Sequence, residues 1–295
     1  MAEHRDKWLI ASDIDGTLIT LSRHMPEENI KSINDFVSNG NYFTLCSGRN
    51  LQSLEPHYKK CGANAPAVFL NGAGIYDFGK DELLSYTVFT PSQEDYIIEL
   101  IEKYTSLLDF VLYEPRKIHI IGKNNLLGTV TFLADGIDKM FHTSVRDVPR
   151  GCWGKLSFMP RALNLAFSHI FGQSAGAVCL AEVSSLLCGS EIDGGFECFP
   201  EHPTLKSTVV EVAPGGVNKG SGIKKLAELL NVGYESVGAI GDSFNDCKML
   251  EAVTHAAYCG DSAGMLSKYC EFNAKPCKDG AVSDFLNYIN NKYLL

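Results

Sequence analysis

Hydrophobic and polar positions follow two repeating patterns over the first eighty residues. Short apolar runs that end in small or polar residues are typical of buried strands, and they lie at 8–12, 42–46 and 67–70. A helical repeat begins at Pro26 and ends at Gly40, and its apolar positions are Ile30, Ile33 and Val37. Strands separated by helices predict parallel β-α-β units, whose ligands bind beyond the carboxyl ends of the strands.

The middle of the chain is richer in strand patterns. A helix is predicted over 91–104, with the inward positions Tyr96, Ile97, Leu100 and Ile101. One further helix is predicted at 164–171, and strand-like runs lie at 110–113, 118–121, 128–133, 155–158, 196–199 and 207–212. Because strands predominate here, the pattern predicts an α+β module inserted into the first fold.

The alternation of strands and helices returns after Pro214. Asn218 is placed to cap a helix whose apolar positions are Ile223, Leu226, Leu229 and Leu230. Buried-type strands follow at 237–240 and 256–259. We therefore predict a split α/β domain, formed by residues 1–86 and 215–295, that is interrupted by a cap domain at 87–214.

Composition and charge limit the classes of partner. A chain of 295 residues is long enough for two domains, and 45% hydrophobic with 21% charged residues is typical of globular proteins. The net charge of -9 gives no broad electrostatic attraction for nucleic acid or anionic lipid. No apolar run approaches the ~18 residues that a membrane helix needs. We expect neither nucleic acid nor a membrane as partner, and the sequence leaves the oligomeric state open.

The ten cysteines are too far apart along the chain for a zinc-knuckle or thioredoxin-like pair. Several lie in apolar runs, as Cys46 and Cys259 do, so we interpret them as reduced core residues. The apolar run at 8–11 is too short for a signal-peptide core, and Asp13 follows it almost at once. These observations predict a cytoplasmic protein.

The strongest motif follows the first predicted strand and reads Asp13-Ile14-Asp15-Gly16-Thr17. Two carboxylates two residues apart point to the same side of an extended chain, and glycine lets the backbone turn sharply after them. The first is suited to attack phosphorus, and the second to protonate the departing alcohol and later deprotonate water. Adjacent carboxylates repel a phosphate dianion, so a hard cation such as Mg²⁺ is needed between them. Taken alone, the motif also fits a calcium-like or purely structural turn.

Three further elements carry the same chemistry, and each has a simpler alternative. Asp242, in the loop Gly241-Asp242-Ser243-Phe244-Asn245-Asp246, would complete the coordination of the cation, or it simply caps a helix. Ser47, in Ser47-Gly48-Arg49, suits a phosphate oxygen, or it belongs to an ordinary turn. Lys219 lies at a predicted helix start, where the dipole disfavours a cation. Either an aspartate and a phosphoryl group compensate the positive charge of Lys219 there, or Lys219 is a solvated surface residue.

Together the four elements resemble the haloacid dehalogenase (HAD) superfamily of aspartate-nucleophile phosphohydrolases. The insertion between the Asn71-Gly72-Ala73 loop and Lys219 resembles the type IIB cap of the Cof-type group. The resemblance covers 9–76 and about 215–284. It implies a doubly wound, Rossmann-like parallel-sheet core with an inserted α+β cap domain.

Residue roles follow from this resemblance. It implies that Asp13 is the nucleophile and Asp15 the general acid and base. The Mg²⁺ ligands would be Asp13, the main-chain carbonyl of Asp15, and Asp242. The phosphate would be held by Ile14, Ser47, Gly48, Lys219 and Asn245. Supporting roles would fall to Thr17, Arg49, Asn71 and Asp246.

The second aspartate also separates reaction classes within the superfamily. Dehalogenation expels a halide that needs no proton, whereas a phosphate ester expels an alkoxide that does, so Asp15 favours phosphate monoester hydrolysis. We predict a Mg²⁺-dependent phosphatase that acts on a small phosphorylated metabolite, with sugar phosphates the leading class, through an aspartyl-phosphate. One alternative is a phosphosugar mutase resembling phosphomannomutase. Another is a non-catalytic binding protein on the same scaffold.

Overall fold

The computed structural model describes residues 7–123, 125–128, 138–161, 175–200, 209–262, 264 and 266–294. The chain divides into two compact units. The first consists of Met1–Arg49, Leu54–Ser85 and Asn218–Leu295, and the second of Asn50–Ser53 and Tyr86–Val217. The helix predicted at 164–171 lies outside the described residues, as do 129–133 and 207–208 of two predicted strands.

Helices and strands are numbered in chain order. The helices are α1 (Glu27–Ser38), α2 (Leu51–Cys61), α3 (Pro91–Tyr104), α4 (Ala175–Cys188), α5 (Lys219–Leu230), α6 (Cys247–Glu251) and α7 (Ala281–Ile289). The strands are β1 (Leu9–Ser12), β2 (Tyr42–Leu45), β3 (Ala67–Phe69), β4 (Gly74–Asp77), β5 (Glu82–Tyr86), β6 (Leu108–Tyr113), β7 (Ile118–Ile121), β8 (Lys139–His142), β9 (Lys155–Pro160), β10 (Phe196–Pro200), β11 (Val210–Pro214), β12 (Val237–Gly241), β13 (His255–Cys259) and β14 (Phe272–Ala274).

A five-stranded sheet forms the centre of the first unit, in the order β14-β13-β12-β1-β2, and all its neighbours are parallel. From β1 the chain first builds outward to β2, and after the insertion it builds in the opposite direction from β12. This reversal places the carboxyl ends of β1 and β12 side by side, which is where open α/β sheets bind ligands. The predicted α/β parallel-sheet core is confirmed.

The third predicted strand differs from expectation. β3 pairs antiparallel with β4 in a separate three-stranded sheet, and one parallel bridge between Cys46 and Val68 joins it to the end of β2. The chain folds back after β3 because Leu70, Asn71 and Gly72 all have positive φ, at 49°, 56° and 99°. At Gly72 a Cβ would lie 2.0 Å from the Asn218 carbonyl oxygen, so only glycine fits beside the start of α5.

Two predicted helix faces are rotated relative to the observed ones. In α1, Ile33 is buried with Asn29 and Phe36, whereas Ile30 and Val37 are half-buried. Asn29 tolerates burial because its amide donates to the Leu18 carbonyl at 3.3 Å and accepts from the Ser283 N–H at 2.9 Å. In α5, Leu229 is exposed. At ~100° per residue it lies roughly 120° around the helix from Ile223, beyond the buried stripe.

The second unit is built on a six-stranded sheet in the order β10-β11-β9-β6-β7-β8, in which only β7 and β8 pair in parallel. Helices α3 and α4 pack on it through a buried apolar cluster that includes Ile97, Ile101, Val183, Leu187, Phe110 and Phe158. The predicted helix over 91–104 and the strands at 110–113, 118–121, 155–158 and 196–199 are confirmed. The strand predicted at 128–133 is wrong at Gly128, which is helical.

All ten cysteines are free thiols. Cys46, Cys61, Cys259 and Cys277 are buried, five others are half-buried, and Cys188 is exposed, so the core interpretation holds for only part of the set. Within the described ranges, no helix combines the length and the apolar character needed to cross a membrane.

Candidate active site

Asp13 is the first residue after β1, at the carboxyl edge of the central sheet. Its N–H donates to the Ile240 carbonyl of β12 at 3.0 Å, and its buried Oδ1 accepts from the Lys219 ammonium at 2.7 Å. Burial is the largest influence on this carboxyl and raises its pKa, Lys219 lowers it, and the charges of Asp246 and Asp15 raise it further. The outcome is a pKa of about 7 for Asp13, so the side chain needs additional positive charge to stay fully ionised at neutral pH.

Lys219 is the first residue of α5, where Asn218 caps the helix. Its side chain is 0% exposed, and its Nζ lies 2.7 Å from Asp13 Oδ1 and 2.6 Å from Asp246 Oδ1. Burial opposes the charge, but the two carboxylates outweigh it and raise the pKa of Lys219. Lys219 is therefore a buried, ionised group between two aspartates, which rules out the solvated surface alternative.

The loop after β12 is fixed by Asp246. Its Oδ2 accepts from the N–H groups of Asp242 and Ser243, both at 3.0 Å, while its Oδ1 binds Lys219. Asp242 Oδ1 in turn accepts from the Thr17 hydroxyl at 2.8 Å. At Gly16, with φ of 83°, a Cβ would lie 2.3 Å from Asp242 Oδ2. Glycine thus lets the turn after β1 approach the loop after β12.

Three carboxylates in this region form a group able to hold a cation. One oxygen from each of Asp13, Asp242 and Asp246 lies within 4.8 Å of the others. Burial first, and then the charges of Asp13 and Asp246, raise the pKa of Asp242 to about 8. Both oxygens of Asp246 already accept hydrogen bonds, which leaves Asp13 and Asp242 better placed than Asp246 to hold a cation. Hard oxygen donors of this kind suit a hard divalent cation.

Asp15 has a different partner from Asp13. Its two carboxylate oxygens accept from Arg49 Nε and Nη2, each at 2.7 Å, in a two-pronged ion pair. Burial would raise the pKa of Asp15, but the hydrogen bonds and charge of Arg49 outweigh it and lower the pKa. The Asp15 side chain therefore stands apart from the acidic group, and only its main-chain carbonyl remains as the ligand expected from the sequence.

The loop after β2 is joined to the loop after β3 by the main chain. The Ser47 N–H donates to the Val68 carbonyl at 3.0 Å, and the Ser47 carbonyl accepts from the Asn71 N–H at 3.0 Å. The Leu70 N–H also donates to the Arg49 carbonyl at 2.9 Å. Asn71 is fully buried. The structure thus brings Ser47, Gly48, Arg49 and Asn71 into one bonded loop pair.

Ile14 and Asn245 complete the set of candidates. Ile14 is buried, and its carbonyl accepts from the N–H groups of Leu18 and Ile19 at 3.0 and 2.9 Å, which closes the turn after β1. Asn245 Oδ1 accepts from the Ser243 hydroxyl at 2.5 Å. The sequence motif pointed to Asn245 and not to Ser243. The Ser-x-Asn spacing could have indicated Ser243, because serine hydroxyls in loops form hydrogen bonds with polar groups a few residues away.

Comparison with known proteins identifies the family of this chain. A model of the haloacid dehalogenase-like hydrolase family matches residues 10–145 and 197–286. The 5-amino-6-(5-phospho-D-ribitylamino)uracil phosphatase YitU of Bacillus subtilis is 25% identical over 272 residues, 87% of this chain and 86% of that protein. The pyridoxal phosphate phosphatase YbhA of Escherichia coli is 24% identical over 250 residues, 83% of this chain and 84% of that one. The solved structure of the HAD subclass IIB sugar phosphatase BT4131 has a TM-score of 0.75 at 14% identity, covering 96% of this chain and 99% of that chain.

The chain belongs to the haloacid dehalogenase-like hydrolase family, because the family model matches well over half of it. Its fold is that of a subclass IIB structure. Within the family it is a Cof-type phosphatase, that is, a phosphoric monoester hydrolase. The resemblance drawn from the four sequence motifs is confirmed.

Proposed function

We propose that this phosphatase uses Mg²⁺ to hydrolyse phosphate monoesters of small cytoplasmic metabolites, with sugar phosphates the leading class, through an aspartyl-phosphate on Asp13. The observation that carries the proposal is the Asp13 carboxylate, which is hydrogen-bonded to a fully buried lysine and lies beside Asp242. The phosphoribityl and pyridoxal phosphate esters named for two relatives support small phosphorylated substrates. Ten free thiols are compatible with a reducing compartment.

The division of labour between the domains is part of the proposal. Residues 1–86 and 215–295 would form the catalytic core, because every reaction residue named above lies in the first compact unit. Residues 87–214 would form the cap, built on the six-stranded sheet.

In the first half-reaction, an Asp13 oxygen attacks phosphorus, and the bond from phosphorus to the ester oxygen breaks. Asp15 supplies the proton that the departing alkoxide needs. In the second, Asp15 takes a proton from water, which attacks the phosphoryl group and releases Asp13. The Arg49 pair favours the ionised form of Asp15, which suits this base step and opposes the acid step before it.

Positive charge at the phosphoryl group comes from Lys219, which is held between Asp13 and Asp246. Asp13, the Asp15 carbonyl and Asp242 would hold the Mg²⁺, which when bound neutralises phosphoryl charge as a Lewis acid. The phosphoryl oxygens would be held by Ile14, Ser47, Gly48 and Asn245, through N–H, hydroxyl and amide donors. Thr17 and Asp246 support this arrangement by fixing Asp242 and its loop.

Removal of divalent cations is expected to abolish turnover. With its three carboxylates ionised, the acidic group is negative even beside Lys219, and it would repel a phosphate dianion. Incubation with EDTA should remove activity, Mg²⁺ should restore it, and Ca²⁺ should restore it poorly because its coordination is looser. Asp242→Asn should raise the Mg²⁺ concentration for half-maximal activity at least ~10-fold, whereas the exposed Asp35→Asn should leave it unchanged. Full activity after exhaustive chelation would exclude the metal role.

The effect of removing Asp15 on activity is expected to depend on the leaving group. Comparing alkyl and aryl substrates is the experiment that tests the proposed mechanism. An alkyl phosphate expels a poor leaving group, so Asp15→Ala should be nearly inactive on it. With p-nitrophenyl phosphate the stable phenolate departs without a proton, and the first half-reaction should survive. Hydrolysis of the intermediate still needs a base, so phospho-Asp13 should accumulate.

Two measurements read out this accumulation. A stopped-flow burst of nitrophenolate reports the first half-reaction, and mass spectrometry should find a phosphate on the peptide that contains Asp13. The assigned roles are wrong if Asp15→Ala loses alkyl and aryl substrates equally with no trapped intermediate. Release of an isomeric sugar phosphate in place of inorganic phosphate by the unmodified enzyme would favour the mutase alternative.

A further inference from the structure

The orientation of the Asn245 amide is decided by its neighbour two residues earlier. A carboxamide presents a donor at Nδ2 and an acceptor at Oδ1, and the two ends are nearly equal in size. Phosphate oxygens at neutral pH mainly accept hydrogen bonds, so only the Nδ2 end serves them. A site that holds phosphate through an asparagine side chain therefore needs a neighbouring group that fixes which end of the amide faces the phosphate.

Ser243 supplies that selection. Its Oγ lies 2.5 Å from Asn245 Oδ1 and 3.4 Å from Asp246 Oδ2, so its single proton belongs to the shorter contact. The backbone of Ser243 is itself fixed, because its N–H donates to Asp246 Oδ2 at 3.0 Å and its carbonyl accepts from the Asp246 N–H at 3.0 Å. The hydroxyl is thus a donor held in place by the same aspartate that binds Lys219.

We propose that Ser243 is a positioning residue, which engages Oδ1 of Asn245 and so presents Nδ2 to the phosphate of the substrate. This inference rests on the phosphate-holding role proposed above for Asn245. Without the hydroxyl the amide is free to turn over, and its oxygen then faces the phosphate and repels it. Asp13 and Lys219 take no part in this contact, so the groups that act in the bond-making step are unchanged.

The test compares Ser243→Ala with the unmodified enzyme in excess Mg²⁺, with p-nitrophenyl phosphate as substrate and inorganic phosphate as the competing ligand. Both the KM and the inhibition constant of inorganic phosphate should rise about 5–10-fold, the loss expected for one hydrogen bond. The kcat should change less than about 2-fold, since the interaction serves binding. Ser243→Thr keeps the donor and should restore both constants. If Ser243→Ala does not fold, Ser243→Cys, a weak donor of similar size, should show the same rise.

A double-mutant cycle separates positioning from general structural support. In an Asn245→Ala background, Ser243→Ala should leave the inhibition constant of inorganic phosphate unchanged, because there is no amide left to orient. An equal rise in both backgrounds would overturn the proposal, as would unchanged constants in Ser243→Ala itself. If Asn245→Ala alone leaves the inhibition constant unchanged, the phosphate role of Asn245 fails, and the inference fails with it. That outcome is distinct from the case in which Asn245 matters and Ser243 does not.

Discussion

Asp13→Ala is expected to lose at least ~10⁴-fold in kcat on alkyl and aryl phosphates alike, because no group remains to accept the phosphoryl. The substitution should not unfold the protein. Lys219 keeps its 2.6 Å bond to Asp246. The substitution also removes a buried carboxyl, and burial raises the pKa of that carboxyl to about 7. Alanine is preferred to asparagine, since slow deamidation would regenerate the active residue. Release of inorganic phosphate and a thermal melt measure the two effects.

A matched control is Asp35→Ala, which changes an exposed aspartate of α1 and should leave both quantities unaltered. Retention of more than ~1% of turnover by Asp13→Ala would mean that water attacks the ester directly or that another side chain accepts the phosphate. Mass analysis of the acid-quenched enzyme distinguishes these two explanations.

Lys219→Ala should lower both the catalytic efficiency and the free energy of unfolding. The kcat/KM is expected to fall at least ~100-fold, because a fixed charge beside the developing transition-state charge is removed. Two buried carboxylates, Asp13 and Asp246, then lose their shared cation. Breaking a buried ion pair by removing one partner costs ~3–5 kcal/mol in the free energy of unfolding. Urea denaturation in EDTA, compared with Lys224→Ala on the exposed side of the same helix, measures this cost.

The stability loss of Lys219→Ala has a predictable pH dependence. Burial already raises the pKa of Asp13 to about 7, and removal of the lysine that opposes this effect raises it further. An acid whose pKa is raised in the folded state binds more protons there than when unfolded, so stability falls as the pH rises through that range. The deficit should therefore be larger at pH 8 than at pH 5. A deficit independent of pH, or a kcat/KM loss below threefold, would contradict the role given to Lys219.

Much of the site followed from local sequence patterns and topology. Apolar runs that stop at Asp13 and before Asp242 predicted strand ends, and parallel strands place such ends at one edge of a sheet. The misfit between a cation and a helix start singled out Lys219, whose observed partners are two aspartates. These inferences succeed because they depend on backbone direction and charge, which short segments determine.

What the sequence did not predict depends on side-chain orientation and on contacts far apart in the chain. Nothing in the spacing of Asp15 and Arg49 shows that they form a two-pronged pair across 34 positions. The buried face of α1 includes Asn29, which periodicity alone counts as polar and therefore exposed. The hydrogen bond from the Ser243 hydroxyl to Asn245 Oδ1 depends on the side-chain rotamers of the two residues. Such features follow only from the assembled surroundings.

The pairing of β1 has a consequence for biosynthesis. One neighbour of β1 is β2, which follows within a few dozen residues, but the other is β12, and its Val237 pairs with Leu9. At ~5–20 residues per second, the ribosome needs ~10–45 s to make the intervening chain. During that interval one edge of an apolar strand is unpaired, the situation in which nascent chains form non-native β contacts. The long segment between β1 and β12 thus delays completion of the central sheet during synthesis, and chaperones that shield strand edges would act on the nascent chain in that period.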